Sequence, residues 1–518
     1  MIRRFTLLSL ALLVLAVFAA PACAMEQDMV FASPYGITTL DPSASYSTEL
    51  PYMANIYETL IRVNPPGSKE RFSYVLATGF TTSDNGLEYT FHLRKGVKFH
   101  DGTPFTANAV KLSIERTIKL DKGAAFIWAD LKSIQVVDDY TVEFIMKKPV
   151  PLPQIAASAY ASYIFSPAAA SKDSAWFDAG HEDGTGPYML TNYKAGESWM
   201  LTKFNDYWGG WKGRHIEKVL VRYTKEPLLE LQMLQSGQAE MAGSIPVDSY
   251  EAVKKGKTTT VVSGPSYRNF MAFFNTARPP LNNVTIRKAL AYAMPYKEII
   301  DVGFNGQATQ ARGPVPAGQF GYSKQVMQYP YDPGKARKLL AEAGYPHGGL
   351  KLTLTYAAEN ENEARFAPLI QSAFKKVGID LQIKPLVWTS QWALAKSDPQ
   401  KAQDIFVLLW WPTYSDPYET LHSLLHDEGN KPAWNLAYYK NPEYDRLIEQ
   451  AYGLTSRHPD KALQLYVKAQ NLVQADAPAA WLADTLTRWP VSRTLKGVRI
   501  NPAYPNVPFF YDMYLQKS

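Results

Sequence analysis

Two stretches in the first third of the chain alternate apolar and polar residues, the pattern of a strand with one buried face. They cover residues 87–93 and 140–146. Between them, Thr106 stands where a helix N-cap is expected, and Val110 and Ile114 follow on one helical face. This part of the chain is therefore predicted to combine strands with an intervening helix.

A strand, a helix and a second strand are predicted in succession further along the chain. Residues 350–356 alternate, residues 366–377 carry an apolar stripe at helical spacing, and residues 379–383 alternate again. Such a β-α-β unit builds a parallel sheet covered by helices. Asp332 and Asn441, each followed by a proline, are predicted to cap two further helices. The predicted fold class is mixed α/β.

The N-terminus has the three regions of a secretory signal peptide. Arginines at residues 3–4 precede an apolar stretch at residues 5–20, and small residues follow at 21–24. The apolar stretch is shorter than the roughly 20 residues that span a bilayer. Cleavage after Ala24 is predicted, and the mature protein is expected to be exported.

Cys23 offers an alternative N-terminus for the mature chain, in which this cysteine would be acylated and would anchor the protein to the membrane. Residues 20–22 lack the branched side chain that a lipoprotein signal usually carries, so cleavage after Ala24 is the favoured interpretation. Cys23 is the only cysteine in the sequence. No disulfide is therefore expected in the mature protein.

Composition narrows the class of protein. A length of 518 residues, 46% of them hydrophobic, exceeds what one core normally organises, so two or three structural units are predicted. The net charge of +6 is spread without a basic block, so nucleic acid is not an expected partner. The 12 tryptophans and 32 tyrosines indicate large cores, a cleft lined by aromatic rings, or both.

Motifs of catalysis are absent from the sequence. It contains no G-x-S-x-G, H-E-x-x-H or C-x-x-C. His422 and His426 stand one helical turn apart near Glu419, Asp427 and Glu428, a set that could bind a transition metal. A solvated helix face explains the same spacing, so no metal site and no cofactor are assigned.

Several motifs occur in a fixed order along the chain. They are YTFHLRKGVKFHDGTPFTA at 89–107, GTGPY at 184–188, NDYWG at 205–209, LQSG at 234–237, and further segments within 274–290, 331–345 and 410–417. In this order they closely resemble the peptide, oligopeptide and nickel solute-binding family of bacteria. The resemblance covers essentially the whole chain after the signal peptide.

The resemblance implies a two-lobed periplasmic binding protein of type II. Such a protein closes on its solute by a hinge and delivers it to the membrane permease of an ABC importer, which has a cytoplasmic ATPase. Lobe I would combine residues 25–64, 185–275 and 485–518, with an inserted domain at 65–184, and lobe II would be 276–484. A periplasmic monomer without enzymatic activity is expected.

The resemblance also implies which segments contact the solute. One strip follows the first strand at residues 43–47 and the other is 410–414, and their backbone groups would pair with an extended peptide as an added strand. Aromatic walls would come from both sides of the cleft, although each ring is equally explained by core packing. The candidate ligand-binding residues are Ser45, Tyr46, Phe126, Trp128, Trp388, Trp392, Trp410, Trp411, Thr413, Tyr414 and Asp416.

Two positions depart from the peptide binders of this family. Thr413 stands where they place an aspartate for the peptide's ammonium group, and Val407 stands where some members place an arginine for the carboxylate. A neutral hydroxyl cannot balance a buried ammonium. Asp416 is the candidate replacement, although an aspartate before Pro417 is equally explained as a helix cap.

Three functions follow from these observations. The leading hypothesis is capture of short peptides or similar amphipathic solutes for import. The second keeps the importer role with a non-peptide solute such as an oligosaccharide, an opine or a metal chelate. The third, a secreted hydrolase, has no motif in its favour.

Overall fold

The computed structural model describes residues 27–46, 48–429 and 434–516. The predicted signal peptide, its cleavage site after Ala24 and the alternative anchor at Cys23 lie outside these residues. Within the described ranges, none of the helices combines the length and the apolar character needed to cross a membrane.

The elements of the described residues follow in chain order. The strands are β1 (Asp28–Ser33), β2 (Ile61–Val63), β3 (Phe72–Tyr74), β4 (Ala77–Thr82), β5 (Glu88–Leu93), β6 (Leu131–Asp138), β7 (Thr141–Met146), β8 (Tyr188–Lys194), β9 (Ser198–Lys203), β10 (Lys218–Tyr223), β11 (Met241–Ala242), β12 (Thr259–Phe274), β13 (Ala308–Thr309), β14 (Leu350–Ala357), β15 (Ile379–Leu386), β16 (Ile405–Trp410), β17 (Ala479–Ser492), β18 (Leu495–Lys496) and β19 (Tyr514–Leu515). The helices are α1 (Leu50–Ile56), α2 (Ala107–Leu120), α3 (Leu152–Ala156), α4 (Pro167–Ala170), α5 (Ser174–Asp178), α6 (Pro227–Ser236), α7 (Tyr250–Lys254), α8 (Val284–Ala293), α9 (Tyr296–Glu298), α10 (Pro333–Glu342), α11 (Glu361–Lys375), α12 (Trp388–Ala395), α13 (Pro417–Leu425), α14 (Pro442–Leu454) and α15 (Pro459–Asp476).

A mixed sheet of 11 strands organises the molecule, in the order β15-β14-β16-β12-β17-β11-β1-β10-β9-β8, with β13 beside β17. The central strands β12 and β17 are antiparallel and span 16 and 14 residues. Their pairing is interrupted by register shifts between Pro265 and Asn269 and between Phe270 and Met271. The two strands therefore run continuously from one half of the sheet to the other.

The predicted β-α-β unit is confirmed at one end of this sheet. β14 and β15 pair in parallel, with Leu350 opposite Ile379, and α11 connects them. The helix buries an apolar stripe, including Phe366, Ile370 and Phe374, against the sheet, as the helical spacing predicts. The mixed α/β fold class is thus correct.

The strands predicted in the first third form a separate antiparallel sheet of four strands, in the order β4-β5-β7-β6. Phe91 of β5 and Phe144 of β7 are fully buried and in edge-to-face contact. α2 begins after Thr106 as predicted, but the Thr106 side chain makes no capping hydrogen bond. The side chains of Asp332 and Asn441 do cap α10 and α14, as predicted.

The buried apolar residues form two large clusters, and the 11-stranded sheet contributes to both of them. One cluster lies within residues 270–483 and covers the sheet end that contains β14–β16. A larger cluster joins the four-stranded sheet to β1, β9 and β10 and to the C-terminal residues. The division agrees with the expectation that one core would not organise a chain of this length.

The longest family motif is fixed by packing. The His100 ring donates or accepts at both nitrogens, 2.7 Å from a Glu182 carboxylate oxygen and 2.9 Å from the carbonyl of Gly186. The backbone N–H of Gly186 donates to the carbonyl of Ile56, the last residue of α1, at 2.8 Å. Motifs 89–107 and 184–188 therefore join α1 to the four-stranded sheet.

A substitution at Gly184 is expected to destabilise this junction. A Cβ on Gly184 would lie 2.0 Å from the carbonyl oxygen of Ile56, which is backbone and cannot turn away. We expect Gly184→Ala to lower the free energy of unfolding by about 1–3 kcal/mol, the usual cost of overpacking. Urea denaturation measures it, with Gly79→Ala as the control because no atom lies within 4 Å of that Cβ. Equal stability of the two variants would show that the close approach of Gly184 to the Ile56 carbonyl does not limit the side chain at this position.

Candidate functional site

A cavity of about 1040 Å³ opens between segments that are far apart in the sequence. Its wall is built from the loop after β1, the β8–β9 hairpin, the segment after β11, the middle of β12, the loop between β14 and α11, and β17. The volume is in the range of small-molecule sites, about 300–1,000 Å³. The cavity is therefore large enough for a solute the size of a short peptide.

Charged and aromatic side chains share the wall of this cavity. Arg268 of β12 and Arg488 of β17 both line it, and the guanidinium carbon of Arg488 lies 3.7 Å from the centre of the Tyr250 ring. Burial lowers the pKa of Arg488, and the nearby positive charge of Arg268 lowers it further. Sequence reasoning missed both arginines, since neither lies in a family motif.

An aromatic cluster begins at the cavity wall. Trp388, which lines the cavity, stacks on Trp392 with ring centres 5.6 Å apart. Trp392 lies 4.3 Å from Trp434, and Trp434 contacts Trp410 at 5.2 Å and Tyr46 at 6.4 Å. Rings from four separate segments of the chain thus form one cluster.

The cluster continues into the four-stranded-sheet region. Tyr46 contacts Phe126 at 6.1 Å and Tyr160 at 5.7 Å, and the indole N–H of Trp411 donates to the Tyr160 hydroxyl at 3.1 Å. Phe126 is 45% exposed, so one face of it remains free for contact. Most of the predicted aromatic residues therefore lie together, joined by Trp434 and Tyr160, which no motif or periodicity had indicated.

Trp128 does not belong to this cluster. Its ring is 2% exposed, stacks on Phe144 in the core, and donates its indole N–H to the carbonyl of Ala161 at 2.8 Å. Tyr414 is likewise buried, at 6% exposure. Core packing, the alternative that was open for every aromatic candidate, explains both side chains. It also accounts for Trp410, which contacts Trp434 but is only 6% exposed.

The strip at residues 43–46 is a turn, not an extended segment. The backbone N–H groups of Ala44 and Ser45 both donate to the carbonyl of Asp41 at 3.0 Å, and the N–H of Ser43 donates to its carboxylate at 2.9 Å. Ser45 is buried, at 3% exposure. The prediction that this backbone pairs with a peptide as an added strand is therefore wrong at Ser43, Ala44 and Ser45, whose N–H groups are already used, and it stays a prediction for residues 410–414. The cavity is lined instead by residues 34–38, directly after β1.

The two departures from the family pattern have different surroundings. Val407 is fully buried in the apolar core of β16, away from the cavity lining. Thr413 is 5% exposed, and its carbonyl accepts a hydrogen bond from the Ser158 hydroxyl at 2.7 Å.

Asp416 occupies the helix-cap position that was the alternative explanation for it. Its carboxylate accepts from the Tyr418 N–H at 3.0 Å and from the Tyr466 hydroxyl at 3.2 Å, and the residue has 0% exposure. Burial raises the pKa of Asp416 to about 6. As a buried cap of α13, Asp416 does not line the cavity.

A different acid, Glu419, lies next to Thr413. It is one turn into α13, is 2% exposed, and hydrogen-bonds with Thr413. Burial raises the pKa of Glu419 to about 8. At neutral pH the protonated form of this carboxyl is therefore favoured as long as no cation lies beside it. Sequence reasoning placed Glu419 only with the histidines. Its helical spacing from Asp416 was the available signal.

The two histidines stack face to face, with ring centres 4.3 Å apart. Glu449, rather than the acids predicted from sequence, completes a group whose ligand atoms lie within 4.8 Å of one another. Glu449 also pairs with Lys148 at 3.2 Å. Burial and the neighbouring His426 lower the pKa of His422 to about 4.

The cavity and the sheet crossed by two long strands define the class of a two-lobed solute-binding protein. The model of the bacterial extracellular solute-binding proteins, family 5, matches residues 71–432. The chain belongs to this family, whose members serve ABC transporters. The predicted resemblance is therefore confirmed.

Relatives agree with this assignment over almost their full length. The chain is 29% identical over 512 residues to the probable D,D-dipeptide-binding periplasmic protein DdpA of Escherichia coli K12, covering 96% of each chain. It is 30% identical over 467 residues to the glutathione-binding protein GsiB of Salmonella choleraesuis, covering 89% of each. The periplasmic binding protein DppA of Helicobacter pylori, solved with the peptide STSA, matches with a TM-score of 0.80, 27% identity and coverage of 95% and 98%.

Proposed function

We propose that this protein captures short peptides in the cavity described above and passes them to the permease of an ABC importer. The observation that carries the proposal is the cavity of about 1040 Å³, which leads directly into the aromatic cluster through Trp388. Rings offer apolar contact that tolerates different side chains. The relatives named for dipeptide, glutathione and peptide ligands support the same class of solute.

The charge pattern also supports a peptide. Thr413 alone would leave an ammonium group without a counter-charge, but Glu419, which is 2% exposed and like Thr413 lies outside the cavity lining, carries a carboxyl beside it. A cation beside a buried carboxyl favours its ionised form. The neutral residue at position 413 is therefore no argument against peptide capture.

In the proposed division, both lobes contribute strands to the 11-stranded sheet. Lobe I is residues 25–64, 185–275 and 485–518, the inserted domain is 65–184, and lobe II is 276–484. β12 and β17 connect the lobes in this division. We place the mature protein in the periplasm after removal of residues 1–24, as a monomer without catalytic activity, serving a permease with a cytoplasmic ATPase.

Native mass spectrometry of the purified mature protein tests the function. We expect a bound fraction that is heavier than the protein and that releases peptides of a few residues on denaturation. Protein stripped of its ligand and mixed with a protein hydrolysate should regain the same class of peptides.

Other released molecules would change the conclusion in a defined way. An oligosaccharide, an opine or a metal chelate would keep the importer role and discard the peptide. Chemical conversion of added peptides by the protein would instead support the hydrolase.

A further inference from the structure

Two arginines reach the cavity from the central pair of strands. Arg268 lies on β12 within the register shift between Pro265 and Asn269, and Arg488 lies on β17, opposite Ser263. Both line the cavity, and burial is the main cause that lowers the pKa of Arg488. Two positive charges are therefore concentrated on one wall.

Neither arginine has an acidic partner among the described residues. No carboxylate oxygen of the described chain lies within 4.0 Å of either guanidinium group, although many other arginines have such partners. The Nε of Arg268 and an Nη of Arg488 are buried and make no hydrogen bond to the described protein atoms. The Arg268 guanidinium group makes a long contact of 3.4 Å to the carbonyl of Pro505 and also interacts with the hydroxyl of Tyr35, neither of which is an acid.

Four bases and three acids line the same cavity, namely Lys194, Lys225, Arg268 and Arg488 against Glu197, Glu359 and Glu361. Two of these acids accept backbone N–H groups. Glu359 accepts the backbone N–H of Trp388 at 3.1 Å, and Glu361 accepts that of Val247 at 3.3 Å. Glu361 also lies 4.0 Å from Arg365, outside the cavity lining. The wall therefore keeps a surplus of positive charge beside Arg268 and Arg488.

We infer that the cavity selects solutes that carry a carboxylate and binds this group between Arg268 and Arg488. The inference rests on the proposed function, since it names the part of the solute that the cavity recognises. A guanidinium group pairs with a carboxylate through two parallel hydrogen bonds. The ring of Tyr250 supports the flat face of Arg488 and leaves its N–H edge available. The free C-terminus of a peptide and an acidic side chain both offer the required group.

A pair of peptide pools tests the selectivity. One pool contains di- to pentapeptides with free C-termini, and the other contains the same sequences as C-terminal amides without acidic residues. We expect the wild-type protein to retain the free acids at least tenfold more than the amides, as counted by mass spectrometry. Arg268→Gln and Arg488→Gln should remove this preference, whereas Arg222→Gln, an exposed arginine of β10, should keep it.

A second titration separates the arginine site from peptide capture. Succinate, a small dicarboxylate, is titrated into wild-type and variant proteins by calorimetry. We expect binding to wild type that weakens at least tenfold in each glutamine variant and is partly restored in Arg488→Lys. Succinate binding with no peptide retention would overturn the proposed function alone. Equal retention of acids and amides, or succinate binding that is absent or unchanged in the variants, would overturn the arginine assignment.

Discussion

Replacing Arg116 by methionine is expected to lower the free energy of unfolding by about 3–5 kcal/mol, the cost of leaving a buried charge without its partner. Arg116 of α2 binds both carboxylate oxygens of Asp41, at 2.7 and 2.8 Å. Asp41 has 0% exposure, and among the described residues its carboxylate keeps Ser43 and Ser174 as its other hydrogen-bond donors. The variant therefore also loosens the turn that carries Tyr46.

Urea denaturation of wild type and variant measures this loss. Arg446→Met is the matched control, because the ion pair of Arg446 with Glu443 lies on the surface, with both side chains more than half exposed at 52% and 53%. Exposed pairs contribute little to stability, so this variant should unfold close to wild type. A similar small loss in both variants would show that the Asp41 pair is not a stabilising contact.

The stability of the protein is expected to fall as the pH rises from about 5 to about 8. Glu230 has 0% exposure, and burial raises its pKa to about 8, against the ordinary 4.5. Folding thus favours the protonated form, so the contribution of Glu230 is complete below its unfolded pKa and is lost as the pH passes through about 8. The shift corresponds to a change on the order of 4 kcal/mol.

Glu230→Gln isolates this contribution, because glutamine resembles the protonated acid and does not titrate. We expect wild type and variant to be similar near pH 5 and the variant to be the more stable by several kcal/mol near pH 9. The contributions of other buried groups to the pH dependence are the same in both proteins and cancel in the comparison. They include Glu363, whose contribution also falls as the pH rises, and His422, whose contribution has the opposite sign. Glu251→Gln, at an exposed position of α7, is the control. If the stability of wild type and of Glu230→Gln changed with pH in parallel, Glu230 would not be the source of the pH dependence.

The parts of the fold that depend on local patterns could be predicted from the sequence. The alternation at 350–356 and 379–383 and the stripe between them specify a strand, a helix and a strand, which the structure confirms. The caps at Asp332 and Asn441 depend on neighbouring residues alone and were equally accessible. The domain boundaries, which depend on long-range pairing, remain a proposal.

The candidate site could be predicted only in part. Tryptophans in family motifs were found because the motif identifies them, whereas Arg268 and Arg488 meet only because β12 and β17 pair across a large separation in sequence. The strip was misread at residues 43–45 because Asp41 and Pro42 begin a turn, a local signal that was present in the sequence.

The register shifts in β12 affect how much work ligand capture requires. A bulge bends a strand locally while the ladder on either side keeps its hydrogen bonds. We therefore expect β12 and β17 to bend between the proposed lobes without unpairing, so that closure would consume little of the free energy released by ligand contacts. Such a protein would close on weakly binding solutes and still release them, as a carrier between free solution and a membrane must.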